Sequence, residues 1–152
     1  MDKLHLHKSF EMARIEIKRA DDAFAFTAMD ALGNTVRMDA GEAIGGHNSG
    51  IRPMQTLFMG LGGCGGIDIL SILKKQRQEI KEFTMVIEGE REEGKEPSLW
   101  KKVSILFQFK GKLDEEKVKK ACSLSLDKYC SVAATLRAAG CVIDWKVEVS
   151  AD

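Results

Sequence analysis

What this chain lacks narrows its function first. It has no surplus of charge, with 23 lysines and arginines against 23 aspartates and glutamates. A balanced chain projects no field that would gather polyanions, and no basic patch is interleaved with aromatics, so nucleic acid is not an expected partner. The N-terminal run Met1-Asp2-Lys3-Leu4-His5 has no apolar stretch ahead of a small-residue cleavage site. No signal peptide is expected, and the expected location is cytoplasmic. The cysteines at 64, 122, 130 and 141 form no C-x-x-C, and the histidines at 5, 7 and 47 do not stand at zinc spacing from them. Neither a structural zinc nor a disulfide scaffold is expected. Internal repeats and low-complexity segments are missing as well.

The one run apolar enough to suggest a membrane span is 53–73, and it carries Gln55, Asp68 and several glycines. A carboxylate at mid-span is costly in lipid. The run is therefore expected to be a buried helix of a soluble domain, opened by Pro53 and closed near Lys75 by Lys74, Lys75 and Arg77. No membrane partner is expected.

The remaining pattern predicts an α+β fold in a single domain over 1–152, long enough to bury a real core. Residues 11–19 alternate, with Ala13, Ile15 and Ile17 on one face and Met12, Arg14, Glu16 and Lys18 on the other. That is a half-buried strand, and its parity carries Arg19 to the apolar face just before the turn at Asp21-Asp22. Phe24, Phe26 and Ala28 return, and Val36 and Met38 mark a third strand. The segment 40–52 reads as an irregular loop. Phe83, Met85 and Ile87 form another strand, answered by Val103, Ile105, Phe107 and Phe109. Asp114 is placed to cap a helix with Val118, Ala121, Cys122 and Leu126 inward. Ser131 is expected to cap a further helix closed by Gly140. Cys141, Ile143, Trp145, Val147 and Val149 alternate in a last strand, and the strands are expected to pair mostly antiparallel.

Two cysteines stand apart. Cys64 sits in Gly62-Gly63-Cys64-Gly65-Gly66, and glycine in a helix interior costs about 1 kcal/mol each relative to alanine. Either another backbone packs closely there or the sulfur needs access. Gly62 and Gly66, one turn apart, would let a second helix approach, and the natural candidate is a second copy of this helix in a homodimer. Cys130 precedes a helix start, where amide N–H groups favour a thiolate, unless 115–139 is one helix and the sulfur merely packs. Cys122 and Cys141 read as small core hydrophobes.

The run Arg52-Pro53-Met54-Gln55-Thr56-Leu57-Phe58-Met59-Gly60-Leu61-Gly62-Gly63-Cys64, then Ile67-Asp68, and later Lys128-Tyr129-Cys130-Ser131-Val132, resembles the OsmC/Ohr family. These are the osmotically inducible protein C and organic hydroperoxide resistance proteins. The resemblance implies an OsmC-like fold, with antiparallel sheets from two intertwined chains packed around central cysteine-bearing helices. It implies reduction of organic hydroperoxides by thiols, with no cofactor, metal or flavin. Carried over by position, Cys64 is the peroxidatic nucleophile and Cys130 the resolving cysteine. The disulfide is reset by an external dithiol, for some members a lipoylated protein.

A nucleophilic Cys64 has to react as a thiolate, and the helix dipole fades beyond the first turn. The peroxidase members supply an arginine held by a glutamate. Arg19 is the best positional match for that arginine, ahead of Arg52 and Arg37. The glutamate is replaced: Met54 and Gln55 stand there, and Gln55 can orient a guanidinium but brings no charge. This departure marks a divergent branch. It motivates the alternative of a non-enzymatic protein of the same fold that binds a small hydrophobic ligand near Cys64.

Overall fold

The alternating segments fold as strands, and the contacts they make fall into two compact units, one ending at Gln55 and the other beginning at Thr56. The structure, a computed structural model, describes residues 12–151. The first eleven residues, with His5 and His7, lie outside the described residues.

The first unit is an antiparallel meander of β1 (Ile15–Arg19), β2 (Phe26–Asp30) and β3 (Thr35–Met38). Ile17 stands opposite Ala28, which stands opposite Val36. Phe24, expected within the returning strand, lies ahead of it. The reason is Asp21, whose Oδ1 accepts the backbone N–H groups of Ala23 (2.9 Å) and Ala25 (3.1 Å) and curls the chain there. Ile15 and Ile17 are 58% and 55% exposed, so the apolar face of β1 is uncovered in the single chain.

The loop expected over 40–52 is irregular but tightly organised, with one 3-10 turn at Glu42–Ile44 and a bridge between Met38 and Ile51. Its organiser is the buried carboxylate of Asp39. That group accepts the backbone N–H groups of Ala40 (2.7 Å), His47 (3.0 Å) and Ser49 (3.0 Å) and the Ser49 hydroxyl (2.8 Å). The Ser49 backbone bond, with the others behind it, holds Asp39 well below the ordinary carboxylate range against the opposing effect of desolvation.

The second unit holds α1 (Thr56–Lys75), β4 (Glu79–Arg91), β5 (Trp100–Lys112), α2 (Glu115–Leu124), α3 (Ser131–Ala138) and β6 (Val142–Ser150). Its sheet runs β4-β5-β6. β4 and β5 pair antiparallel, but β6 lies parallel to β5. The chain leaves β5 through α2 and α3, and a helical crossover of this length returns a strand in the same direction. Val103, Ile105, Phe107 and Phe109 of β5 are buried, as are Val118, Ala121, Cys122 and Leu126, the set expected to face inward. Phe83 stacks on Phe109 with ring centroids 4.2 Å apart. Asp114 caps α2 as expected, accepting from the N–H groups of Glu116 and Lys117.

α1 follows a 3-10 turn at Pro53–Gln55 and ends at Lys75. By length and composition the run Pro53–Lys75 could cross a membrane. Here Leu61, Ile69 and Leu73 are at most 1% exposed in the core, each worth about 1.5–3 kcal/mol by burial. Burial on most sides, the expectation for this helix, is not met in the single chain: Met59, Ile67 and Leu70 are exposed. The reading of Gly62 and Gly66 is also corrected. A Cβ at Gly62 would meet Ile87 Cδ1 at 3.1 Å, and one at Gly66 would meet Met85 Cε at 2.9 Å. These glycines bring α1 down onto the chain's own sheet, not onto another helix.

Two outcomes follow from this packing. Gly89 continues the Phe83–Met85–Ile87 face of β4 under the Phe58–Trp100 pair, whose centroids are 4.3 Å apart, and a Cβ there would lie 2.5 Å from Phe58 Cζ. Gly89→Ala is expected to destabilise the protein by about 1–3 kcal/mol in urea unfolding, as overpacking does; an unchanged midpoint refutes this packing. The lowered Asp39 predicts an acid limb. Because the folded-state value lies below the unfolded value of about 3.9, its stabilisation is complete above that pH and is lost as pH falls through and beneath it. Amide exchange at His47 and Ser49 should show constant protection near neutrality and falling protection below pH ~4. In Asp39→Asn that acid-specific fall should disappear.

Candidate functional site

Residues four apart on a helix share a face, and Gly60, Cys64 and Asp68 form one such stripe on α1. Opposite it stands the corner between α2 and α3. A Cβ at Gly60 would contact Val132 at 3.7 Å, Cys64 interacts with Cys130, and Asp68 Oδ2 lies 3.5 Å from Ser125 Oγ. The two cysteines singled out from sequence are thus brought together, both as free thiols.

Cys130 sits where the helical path breaks. α2 passes into a π-helical turn, Ser125–Tyr129, and Cys130 then adopts an extended conformation (φ −71°, ψ 105°) before α3 starts. A single helix over 115–139 is therefore not formed. Nor is Ser131 the cap. Cys130 is the N-cap of α3, its Sγ accepting the Ala133 N–H at 3.4 Å, while its own N–H donates to Ser125 O at 2.7 Å. The expectation of Ser131 rested on the usual preference for hydroxyls at this position. A thiol takes the role here because its neighbour Ser131 is already inside the helix.

The thiols differ in their surroundings. Cys64 is half-buried and packed against the core, beside Gly63, whose missing side chain leaves open space. Cys130 is 3% exposed. Burial raises Cys130 above the ordinary thiol range, and the Cys64 side chain raises it further, against the lowering effect of the Ala133 N–H. Burial also raises Cys141 and pushes Cys122 up to about 12. Both lie in the core cluster, in the structural role expected of them.

The other candidates are placed as follows. Arg19 does not enter an apolar face; it is exposed, and its guanidinium donates to the carbonyls of Ala23 and Asp22 across its own turn. Gln55 Oε1 accepts the backbone N–H of Arg52 at 3.2 Å, so this side chain fastens the start of the helix. The Arg52 guanidinium donates to the carbonyls of Asp39 and Gly50 and to the Asn48 side chain. Arg37 donates to Ser49 and pairs with Asp21 at 3.7 Å. Asp21, Asp39 and His47 come within 4.8 Å of one another, a potential metal-ligand set that sequence spacing did not reveal. Its charge is already met by the four donors on Asp39 and by Arg37.

Sequence reasoning missed Ser125 and Arg137. Arg137 donates to Leu126 O and to Asp127 Oδ1 (3.1 Å), holding the π-helical turn from the α3 side. Alongside lies a groove of about 270 Å³ lined by Asp68, Ser71, Ile72, Lys75 and Tyr129.

Residues 46–146 match the model of the family described as OsmC-like protein. The chain belongs to that family. It is 38% identical over 122 residues to Protein YhfA of Escherichia coli K12, covering 78% of this chain and 85% of YhfA. A crystal structure of a hypothetical protein from Aquifex aeolicus VF5 is 30% identical, with a TM-score of 0.75 over 92% of this chain and 98% of that one. The organic hydroperoxide resistance protein OhrB of Bacillus subtilis shares the fold at 19% identity, with a TM-score of 0.60 over 91% of this chain and 98% of its own.

The difference in burial makes an ordering prediction. In folded protein, Cys64 is expected to be alkylated by iodoacetamide at least about tenfold faster than Cys130, Cys122 or Cys141, since thiol reactivity requires access and ionisation. Peptide mapping over time checks this, and equal labelling of Cys64 and Cys130 contradicts it.

Proposed function

We propose that this protein reduces organic hydroperoxides by a two-thiol mechanism, as an oxidative-stress defence. The observation that carries the reading is the meeting of half-buried Cys64 with buried Cys130. The Cys64 thiolate attacks the distal oxygen of the hydroperoxide, the O–O bond breaks, and the alkoxide leaves and takes a proton to become an alcohol. Cys64 is left as a sulfenic acid. The Cys130 sulfur then attacks the Cys64 sulfur, forming S–S as the S–O bond breaks and water departs. An external dithiol, such as a lipoylated protein, returns the pair to thiols by two exchange steps.

Three features support this reading. Cys64 is the more accessible sulfur, which suits the attacking role. Cys130, held protonated and buried, suits a partner that reacts only once the neighbouring sulfur has become electrophilic. The uncovered apolar side chains Ile15 and Ile17 in one unit and Met59, Ile67 and Leu70 in the other support pairing of two chains as a homodimer.

One observation favours the second reading, a non-enzymatic binder of a small hydrophobic ligand. Gln55 is neutral and its oxygen is engaged by the Arg52 backbone. The two readings separate in one experiment. Reduced protein is treated with one equivalent of cumene hydroperoxide and its thiols are mapped by mass spectrometry. A Cys64–Cys130 disulfide is expected, with Cys64→Ser losing turnover by at least about 100-fold, the scale of losing a nucleophile, and Cys141→Ala altering stability alone. Survival of both thiols refutes the reductase, and retained ligand binding in Cys64→Ser then supports the binder.

A further inference from the structure

The π-helical turn between α2 and α3 is anchored to α1 by one hydroxyl. Ser125 is fully buried, and its Oγ donates to Gly65 O at 3.1 Å, on the residue directly after Cys64. A serine has one proton to donate, so Asp68 Oδ2 at 3.5 Å is the weaker acceptor. The same residue's carbonyl accepts the Cys130 N–H at 2.7 Å. Ser125 thus bonds to the backbone beside one thiol through its side chain and to the backbone of the other thiol through its main chain. The Gly65 carbonyl has a second lone pair for this bond beyond the helical one, and Ser125 Oγ packs close against the Gly65 backbone, 3.5 Å from where a Cβ would be. π-helical turns inside helical segments are uncommon and occur often at functional sites. A further sign of design is that this turn is pinned from its far side by Arg137.

We propose that Ser125 is a positioning residue for the thiol pair, a clasp that sets Cys130 against Cys64 for the disulfide-forming step. The proposal rests on the two-thiol reading of the site. It assigns Ser125 no part in the first step, because its hydroxyl is committed to Gly65 O and is buried away from solvent. Its loss should therefore separate the two steps: oxidation of Cys64 proceeds, and attack by Cys130 on the oxidised sulfur lags.

The test follows single turnovers of wild type and Ser125→Ala with cumene hydroperoxide, trapping the sulfenic acid with dimedone and mapping the Cys64–Cys130 link. In Ser125→Ala, peroxide consumption is expected within about twofold of wild type. Disulfide formation is expected to slow about tenfold, the effect of roughly 1.4 kcal/mol, with dimedone-reactive Cys64 accumulating. Ser125→Thr, which keeps the hydroxyl, is expected to restore resolution. Wild-type resolution in Ser125→Ala overturns the proposal, and so does equal slowing of both steps, which is what a merely structural role produces. Should Ser125→Ala not fold, Ser125→Thr decides: resolution at the wild-type rate with the hydroxyl kept supports the clasp, and a lag overturns it. Repeating the comparison with diamide keeps the two ideas apart. Diamide adds to one thiol and is displaced by the other, without peroxide. Failure with peroxide but a Ser125-dependent lag with diamide sinks the reductase and leaves the clasp; a Ser125-independent rate with diamide sinks the clasp alone.

Discussion

The close approach of α1 to its neighbours is the constraint on which the thiol pair depends. On one side the helix lies against the sheet, where Gly62 and Gly66 have no side chain to hold it off Met85 and Ile87. On another side, the stripe of Gly60, Cys64 and Asp68 meets the α2–α3 corner at Val132, Cys130 and Ser125. A side chain at Gly62 or Gly66 would push on the ends of the Ile87 and Met85 side chains, which would have to give way. The glycines thus let the helix and these two side chains pack together as they do, and with them the register in which Gly60, Cys64 and Asp68 face the corner.

Much of the fold was legible because its strands alternate cleanly. Val103 through Phe109 and Ile143 through Val149 announce one buried face each, and Asp114 announces its helix. The parallel pairing of β6 was not legible, since alternation reports which face is buried and not which strand lies alongside. The site was half legible. Cys64 and Cys130 stood out by their flanks, but no pattern in the sequence states that they meet. The π-helical turn hid the cap as well. It brings Cys130 to the cap position, one residue ahead of Ser131, whose hydroxyl is the more usual cap and drew the expectation. Ser125 was invisible for a simpler reason: a serine inside a helical run is unremarkable until its hydroxyl is seen on another helix's carbonyl.

Arg19 and Gln55 take local partners that the sequence pattern does not announce. Arg19 obeys strand parity in the backbone, yet its long side chain turns back to the carbonyls of its own turn, where a guanidinium finds acceptors at little cost. Gln55 likewise fastens a backbone N–H at the helix entry. Each side chain does local work that the sequence pattern does not encode, and each belongs to the unit that ends at Gln55.

The asymmetry of the two thiols carries the remaining step of the argument. Two identical side chains that interact have different surroundings: Cys64 is half-buried, and Cys130 is buried, with burial the largest cause that raises its thiol. The Ala133 N–H pulls the other way and offers Cys130 a partner when the proton leaves. The N-cap position therefore does two things at once. It ends the π-helical turn with a satisfied amide, and it gives the Cys130 sulfur an N–H donor, which in the two-thiol mechanism proposed above would stabilise its anion. A hydroxyl at this position would cap the helix equally well; in the two-thiol mechanism proposed above, a thiol there could in addition close a disulfide with Cys64.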